Sequence, residues 1–218
     1  FKVSGAKADI INRKRESCVP FTDLINAELL SNIQHRDTNY SVTYKWGSTN
    51  STGISFSDDT NDTTEVTITQ SNNYGLTLEL TNAEGCKTSI TKAKVYEAGV
   101  VARWSSNSTA CVDVPLKVSN SSFVNASKFK WLVTDTNVDV RPNIRAKNPR
   151  LVFKSPGKYR IGLVAENDIG CFDTSYRTIN VIDFNFNFTS DEANSFLCAP
   201  ALVQFNVKHT NVDSFVWT

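Results

Sequence analysis

The chain has 218 residues and a formal net charge of +1, with 40% apolar residues, 21% charged residues and no methionine. These proportions suit ordinary hydrophobic cores and exclude a disordered, charge-rich chain. The near-zero net charge excludes a generally basic nucleic-acid binder and an acidic solvating tail, and no window approaches the ~20 consecutive apolar residues of a membrane-spanning helix.

In chain order, the opening Phe1-Lys2-Val3-Ser4 carries no signal-peptide pattern. Cys18-Val19-Pro20 follows, then residues 23–33, where the spacing admits a short helical turn. Tyr44-Lys45-Trp46 comes next, and then the acidic stretch from Asp58 to Glu65. Val66 and Ile68 alternate with polar residues, as do Leu76, Leu78 and Leu80 in the run from Tyr74 to Asn82 that precedes Gly85-Cys86. Period-two alternation is the mark of a strand with one buried face. After a connector at Tyr96-Glu97-Ala98-Gly99, Trp104 precedes Cys111 and the alternating Val112, Val114, Leu116 and Val118. Phe129-Lys130-Trp131 follows, then Ser155-Pro156-Gly157, a turn signal. Tyr159 opens a run with Ile161, Leu163 and Ala165 alternating, and Gly170-Cys171 closes it. A second connector at Val181-Ile182-Asp183-Phe184 leads to Cys198-Ala199-Pro200 and Phe215-Val216-Trp217, a run expected to continue as a strand in a longer protein.

The same landmarks recur. Trp46, Trp131 and Trp217 are 85 and 86 residues apart, each two residues after an aromatic and each preceded by a cysteine and a proline. Forty residues beyond Trp46 and Trp131 stand Cys86 and Cys171, with Tyr74 and Tyr159 twelve residues before each. The chain therefore reads as repeats over 1–97 and 98–182 with the beginning of a third over 183–218. Short strands around a central tryptophan predict an all-β, Ig-like sandwich for each repeat, with Trp46, Trp131, Trp217, Tyr74 and Tyr159 in the cores. Trp104 lies outside the pattern, as a residue of the junction between repeats or as an exposed contact residue.

The cysteines divide two, two and one among the repeats. The pairing that respects the repeats is Cys18 with Cys86 and Cys111 with Cys171, leaving Cys198 with a partner beyond the sequence. The alternative is five buried thiols in a reducing compartment. No two cysteines have metal-ligand spacing, and the two histidines, His35 and His209, fall in different repeats, so neither a metal nor a cofactor is expected.

The order Cys-x-Pro, aromatic-x-Trp, Gly-x-Tyr with an alternating strand, then Asn-x-x-Gly-Cys resembles the PKD-like repeats of Bacteroidota cell-surface proteins. The second repeat carries it most fully, in Pro156-Gly157-Lys158-Tyr159 and Asn167-Asp168-Ile169-Gly170-Cys171-Phe172-Asp173-Thr174. The usual Trp-Asp-Phe-Gly-Asp-Gly is replaced by Trp46-Gly-Ser-Thr and Trp131-Leu-Val-Thr, so nothing that acidic loop does carries over. The resemblance implies the shaft of a very large adhesin on the outer membrane, exported by the type IX secretion machinery and driven by a gliding motor. Its partners would be neighbouring repeats, the secretion and motility machinery, and surface polysaccharide; no nucleic acid is implied. Other readings are an accessory carbohydrate-binding module of a secreted hydrolase and an Ig-superfamily receptor ectodomain.

No catalytic motif emerges: the sequence has no G-x-S-x-G, H-E-x-x-H, phosphate loop or dinucleotide fingerprint, and no enzyme is expected. The stretch Asp58 to Glu65 offers oxygens to a calcium ion but lacks the spacing of an EF-hand loop, and also reads as a solvated hairpin loop. Residues 98–182 hold 12 basic and 6 acidic side chains, a local charge of +6. Arg141, Arg145, Lys147, Arg150, Lys154, Lys158 and Arg160 are candidates for an anionic polysaccharide or lipopolysaccharide surface, or a scattered solvated face. Seven N-x-S/T sequons, at Asn39, Asn50, Asn61, Asn107, Asn120, Asn125 and Asn187, bear weakly on glycosylation. The short connectors, poor in Gly and Ser, predict a semi-rigid rod.

Overall fold

A computed structural model describes residues 8–29, 42–183, 185–190, 203–210, 213, 214 and 216. Cys198 and Trp217 lie outside these residues. Every regular element described is a strand.

The first sandwich is built from β1 (Ala8–Asn12), β2 (Glu16–Ser17), β3 (Phe21–Leu29), β4 (Val42–Ser48), β5 (Ile54–Phe56), β6 (Thr63–Ile68), β7 (Asn72–Asn82) and β8 (Lys87–Ala98). Its two sheets have the orders β1-β3-β6-β5 and β2-β8-β7-β4. All neighbours are antiparallel except β2, which runs parallel to β8 with Glu16 opposite Glu97 and Ser17 opposite Ala98. This arrangement is the Ig-type sandwich, four strands facing four with Greek-key crossovers. Tyr74, Leu76, Leu78 and Leu80 of β7 share one core with Trp46 of the adjacent strand β4 and with Ile25, Val66 and Ile68 of the opposite sheet, all 3% exposed or less. Burying each such aliphatic side chain contributes roughly 1.5–3 kcal/mol.

The expected helical turn is replaced by strand β3 as far as Leu29. Phe21, Asp23 and Ile25 alternate inward while Thr22 and Leu24 point out. A carboxylate on the buried face masks the alternation. Asp23 is tolerated there because its Oδ2 accepts the backbone N–H groups of Arg13 (3.1 Å) and Lys14 (3.0 Å) and the hydroxyl of Tyr96 (3.0 Å).

The second sandwich repeats the plan with β9 (Trp104–Ser105), β10 (Thr109–Cys111), β11 (Leu116–Lys117), β12 (Ser119–Asn120), β13 (Lys128–Leu132), β14 (Val138–Arg141), β15 (Arg150–Phe153), β16 (Gly157–Glu166) and β17 (Phe172–Ile182). Its sheets are β10-β17-β16-β13, β11-β15-β14 and β12-β9. Here β10 runs parallel to β17, with Cys111 opposite Ile182, as β2 does to β8. Beyond it, β18 (Asn185–Ser190) and β19 (Phe205–Thr210) pair antiparallel.

The two central tryptophans are held alike. The indole N–H of Trp46 donates to Asn61 O (2.7 Å) and that of Trp131 to Ala146 O (2.9 Å), each fifteen residues on. The Tyr74 hydroxyl donates to Gln70 O and that of Tyr159 to Ser155 O, each four residues back. This is the tyrosine corner of Ig-type sandwiches. Trp104 is neither a junction nor an exposed contact residue. It is fully buried, edge-on to Trp131 with ring centroids 5.1 Å apart, and its indole donates to Ser175 O.

By compactness the chain divides into one unit of Phe1–Arg103, Ser122–Phe129 and Val164–Thr174, and another of Trp104–Ser121, Lys130–Leu163 and Ser175–Thr218. Strands β13, β16 and β17 each contribute residues to both.

Candidate functional site

Two features stand out: the cysteine bridge in the first unit and a cationic row in the second.

The bridge joins Cys18 to Cys171, with Cα atoms 5.3 Å apart at a sequence separation of 153. Cys86 and Cys111 are free. This corrects the expected pairings Cys18–Cys86 and Cys111–Cys171, and strand geometry supplies the reason. Cys18 follows Ser17, which lies opposite Ala98 at the end of β8, whereas Cys86 precedes Lys87 at its beginning. The 12 residues of β8 set the two positions roughly 35 Å apart at ~3.3 Å per residue. A disulfide needs Cα atoms within about 7 Å. Cys111 and Cys171 are likewise separated by the length of β17, since Cys111 lies opposite Ile182. Each repeat thus carries its two cysteines at opposite poles.

Cys171 sits in a tight turn. Asn167 N–H donates to Cys171 O (3.0 Å), Gly170 N–H to Asn167 O (3.2 Å), and Cys171 N–H to the Asn167 side-chain oxygen (2.9 Å). Gly170 has φ +85°, a conformation that favours glycine. Asn167 is buried and its amide nitrogen donates onward to Gly99 O (3.3 Å). Gly99 N–H in turn donates to Ser17 O, next to Cys18. Ala102 N–H is capped by Asp173 Oδ2 (2.8 Å), and Asn125 reaches Glu16 (3.3 Å). Val100, Ala102, Ala165 and Cys171 form an apolar cluster with Ala126 and Phe129 against it. The connector from β8 onward is therefore buried and hydrogen-bonded as well as short.

The cationic row arises from register. In the sheet β11-β15-β14, Lys117 lies opposite Arg150 and Arg150 opposite Arg141. Leu116, Leu151 and Val140 form the alternate row, with Leu116 and Leu151 buried. Three cations thus cross three strands within about 10 Å. Directly opposed like charges weaken a sheet. Arg141 has an ion pair with Asp139 at 3.3 Å, whereas Lys117 and Arg150 have none among the described residues. Arg145 and Lys147 are exposed on the segment between β14 and β15.

The expected basic set therefore separates. Arg141, Arg145, Lys147 and Arg150 belong to one end of the β14–β15 hairpin. Lys154 is taken up by Asp113 (2.7 Å) and Asp139 (3.9 Å). Lys158 and Arg160 belong to β16 in the other sheet, where the Arg160 guanidinium lies 3.7 Å from the centre of the Tyr176 ring. Lys117 was missed by sequence reasoning, although its place beside the alternating Leu116 and Val118 marks it as outward-facing.

The acidic stretch folds as a loop that caps itself. Asp58 accepts from Thr60 N–H and hydroxyl and from the Asn61 amide, and Asp59 pairs with Lys45. The bonds from the Thr60 hydroxyl and N–H hold the Asp58 carboxyl below its ordinary range. Among the described residues no three His, Cys, Asp or Glu side chains gather as a metal site, and no helix is long and apolar enough to cross a membrane.

No family model and no curated protein matches the chain. Solved structures similar to it include three N-terminal domains of the outer capsid protein Hoc of bacteriophage RB49, at 11% identity and TM-score 0.40, covering 96% of this chain and 71% of that one. Murine CEACAM1b is similar at 12% identity and TM-score 0.33, covering 81% and 100%. The insect immune protein hemolin is similar at 13% and 0.32, covering 84% and 49%.

Proposed function

We propose that this chain is a load-bearing segment of an extracellular surface adhesin. The observation that carries the reading is the Cys18–Cys171 bridge. A structural disulfide belongs to an oxidising compartment outside the cytosol. This one closes a covalent loop from Cys18 to Cys171, so tension applied through the chain ends passes across the bond and bypasses strands β3 to β16. In the finer form suggested by the sequence resemblance, the segment belongs to the shaft of a gliding-motility adhesin attached to the outer membrane. The repeats space and transmit force, and catalysis has no part.

The adhesive contact proposed for this segment is the row Lys117, Arg150 and Arg141 with Arg145 and Lys147. Its cations are held close together without compensating carboxylates at Lys117 and Arg150. Such a row suits an acidic surface polysaccharide, whose charges repeat along a chain.

The test is imaging of live source cells with a fluorescent antibody fragment raised against residues 98–182. Signal that travels along the cell body is the expected result. A stationary surface signal would remove motility and leave a fixed coat or adhesin. Antigen found only in the medium would overturn the shaft and favour a module of a secreted hydrolase.

A further inference from the structure

The bridge pairs two different cysteine positions, and each complete repeat owns one of each kind. Cys18 and Cys111 end the short strands β2 and β10; Cys86 and Cys171 sit in the turns before β8 and β17. Among the described residues, the disulfide joins the strand-end position of one repeat to the turn position of the next. We propose that this bond is one rung of a ladder. Cys86 makes the same bond to the strand-end cysteine of a preceding repeat in the same chain. Cys111 makes it to the turn cysteine of the repeat that follows. The purpose of the ladder, continuous load transfer, rests on the shaft reading above; the bonds themselves rest on the geometry.

Four observations carry it. First, pairing within a repeat is excluded by the length of β8 and β17, so neither free thiol has a partner in its own sandwich. Second, Cys86 is presented as Cys171 is: Asn82 N–H donates to Cys86 O (3.1 Å), Gly85 N–H to Asn82 O (3.0 Å) and Cys86 N–H to Asn82 Oδ1 (2.7 Å), with Gly85 at φ +80°. Third, the two turns differ only in what covers them. Cys171 is 4% exposed and Asn167 donates its amide to Gly99 in the connector that follows β8. Cys86 is exposed, and the Asn82 amide nitrogen has no partner among the described residues. A neighbouring repeat would supply the thiol, as the first repeat supplies Cys18 to Cys171. Fourth, Cys111 lines an open groove of about 680 Å³, between Asn107 and Pro115, through which a second thiol can approach.

Each rung forms when two thiols lose two protons and two electrons to a disulfide-bearing oxidant, which leaves as its dithiol. The position of one partner follows from the repeat spacing. Forty residues separate Trp46 from Cys86 and Trp131 from Cys171, so the partner of Cys111 stands forty residues beyond Trp217.

The experiment is alkylation followed by peptide mapping under non-reducing conditions, on the full-length protein purified from its source and on the 218-residue chain. In the short chain Cys86 and Cys111 alkylate fully, while Cys18 and Cys171 do so only after reduction. In the full-length protein all four resist alkylation until reduced, and peptides holding Cys86 and Cys111 are each found joined to a peptide of an adjoining repeat. A Cys18–Cys86 or Cys111–Cys171 peptide would overturn the pairing rule. Cys86 or Cys111 recovered as a free alkylated thiol from the full-length protein would overturn the ladder. Intact rungs in a protein absent from the cell surface would refute the shaft reading and leave the ladder standing.

Discussion

Replacing Cys18 and Cys171 by serine removes the bond that closes the chain on itself. With the bridge intact, a chain pulled by its two ends can pay out only residues 1–17 and 172–218, because the bridged cysteines are 153 residues apart in sequence. That is 17 + 47 = 64 residues, or about 220 Å at ~3.5 Å per extended residue. The double variant releases a further 153 residues, about 540 Å more. Loop-closure entropy for a loop of this size assigns the bond about 5 kcal/mol of resistance to unfolding. Single-molecule force extension of wild type and variant, with and without reductant, checks both the added length and its reversal. Equal final extension of the two proteins under oxidising conditions would refute the bypass, because it would mean that the bridge carries no load.

Three further outcomes are expected. Arg150→Glu places a carboxylate between Lys117 and Arg141, exchanging two opposed like pairs for two attractive ones at roughly 0.2–1 kcal/mol each; chemical denaturation should show a stability gain while retention on a carboxylated polysaccharide column falls and loses its salt dependence. Burial, and then the charge and hydrogen bond of Asp23, push the Tyr96 phenol well above its ordinary range. The folded state therefore holds that proton more tightly, and its contribution is complete below about pH 10 and lost as pH rises further; denaturant midpoints should fall across the alkaline limb, and Tyr96→Phe should flatten that fall, leaving the smaller share of Tyr44 and Tyr74, which burial also raises. Trp131→Ala empties the site against Trp104 and removes the bond to Ala146, at about 3–5 kcal/mol; a thermal scan should show the second sandwich losing its transition before the first.

Much of the fold was legible because it is written in local spacing. The alternation of Leu76, Leu78 and Leu80, and of Ile161, Leu163 and Ala165, states which face of a strand is buried, and the paired Trp and Tyr positions state where the cores lie. Strand β3 was not legible past Phe21, because a satisfied carboxylate occupies an inward position where a period-two reading expects an apolar side chain. Trp104 was misplaced for a related reason. Having no counterpart in the other repeats, it read as a residue of the junction between repeats or as an exposed contact residue, and only the close edge-on approach of Trp131 makes it core.

The sequence by itself determined that the chain is a repeated β-sandwich and where its landmarks recur, since both depend on side-chain periods within a few residues. It left open which cysteines meet and which cations gather. Those depend on strand direction and register across the sheets. The parallel pairing of β2 with β8 and of β10 with β17 puts the two cysteines of a repeat at opposite poles, so that the bond forms between repeats. The register of β11, β15 and β14 brings Lys117, Arg141 and Arg150, 33 positions from first to last in sequence, into one row. Neither relation has a local signature, because each is a product of long-range hydrogen bonding between strands distant in the chain.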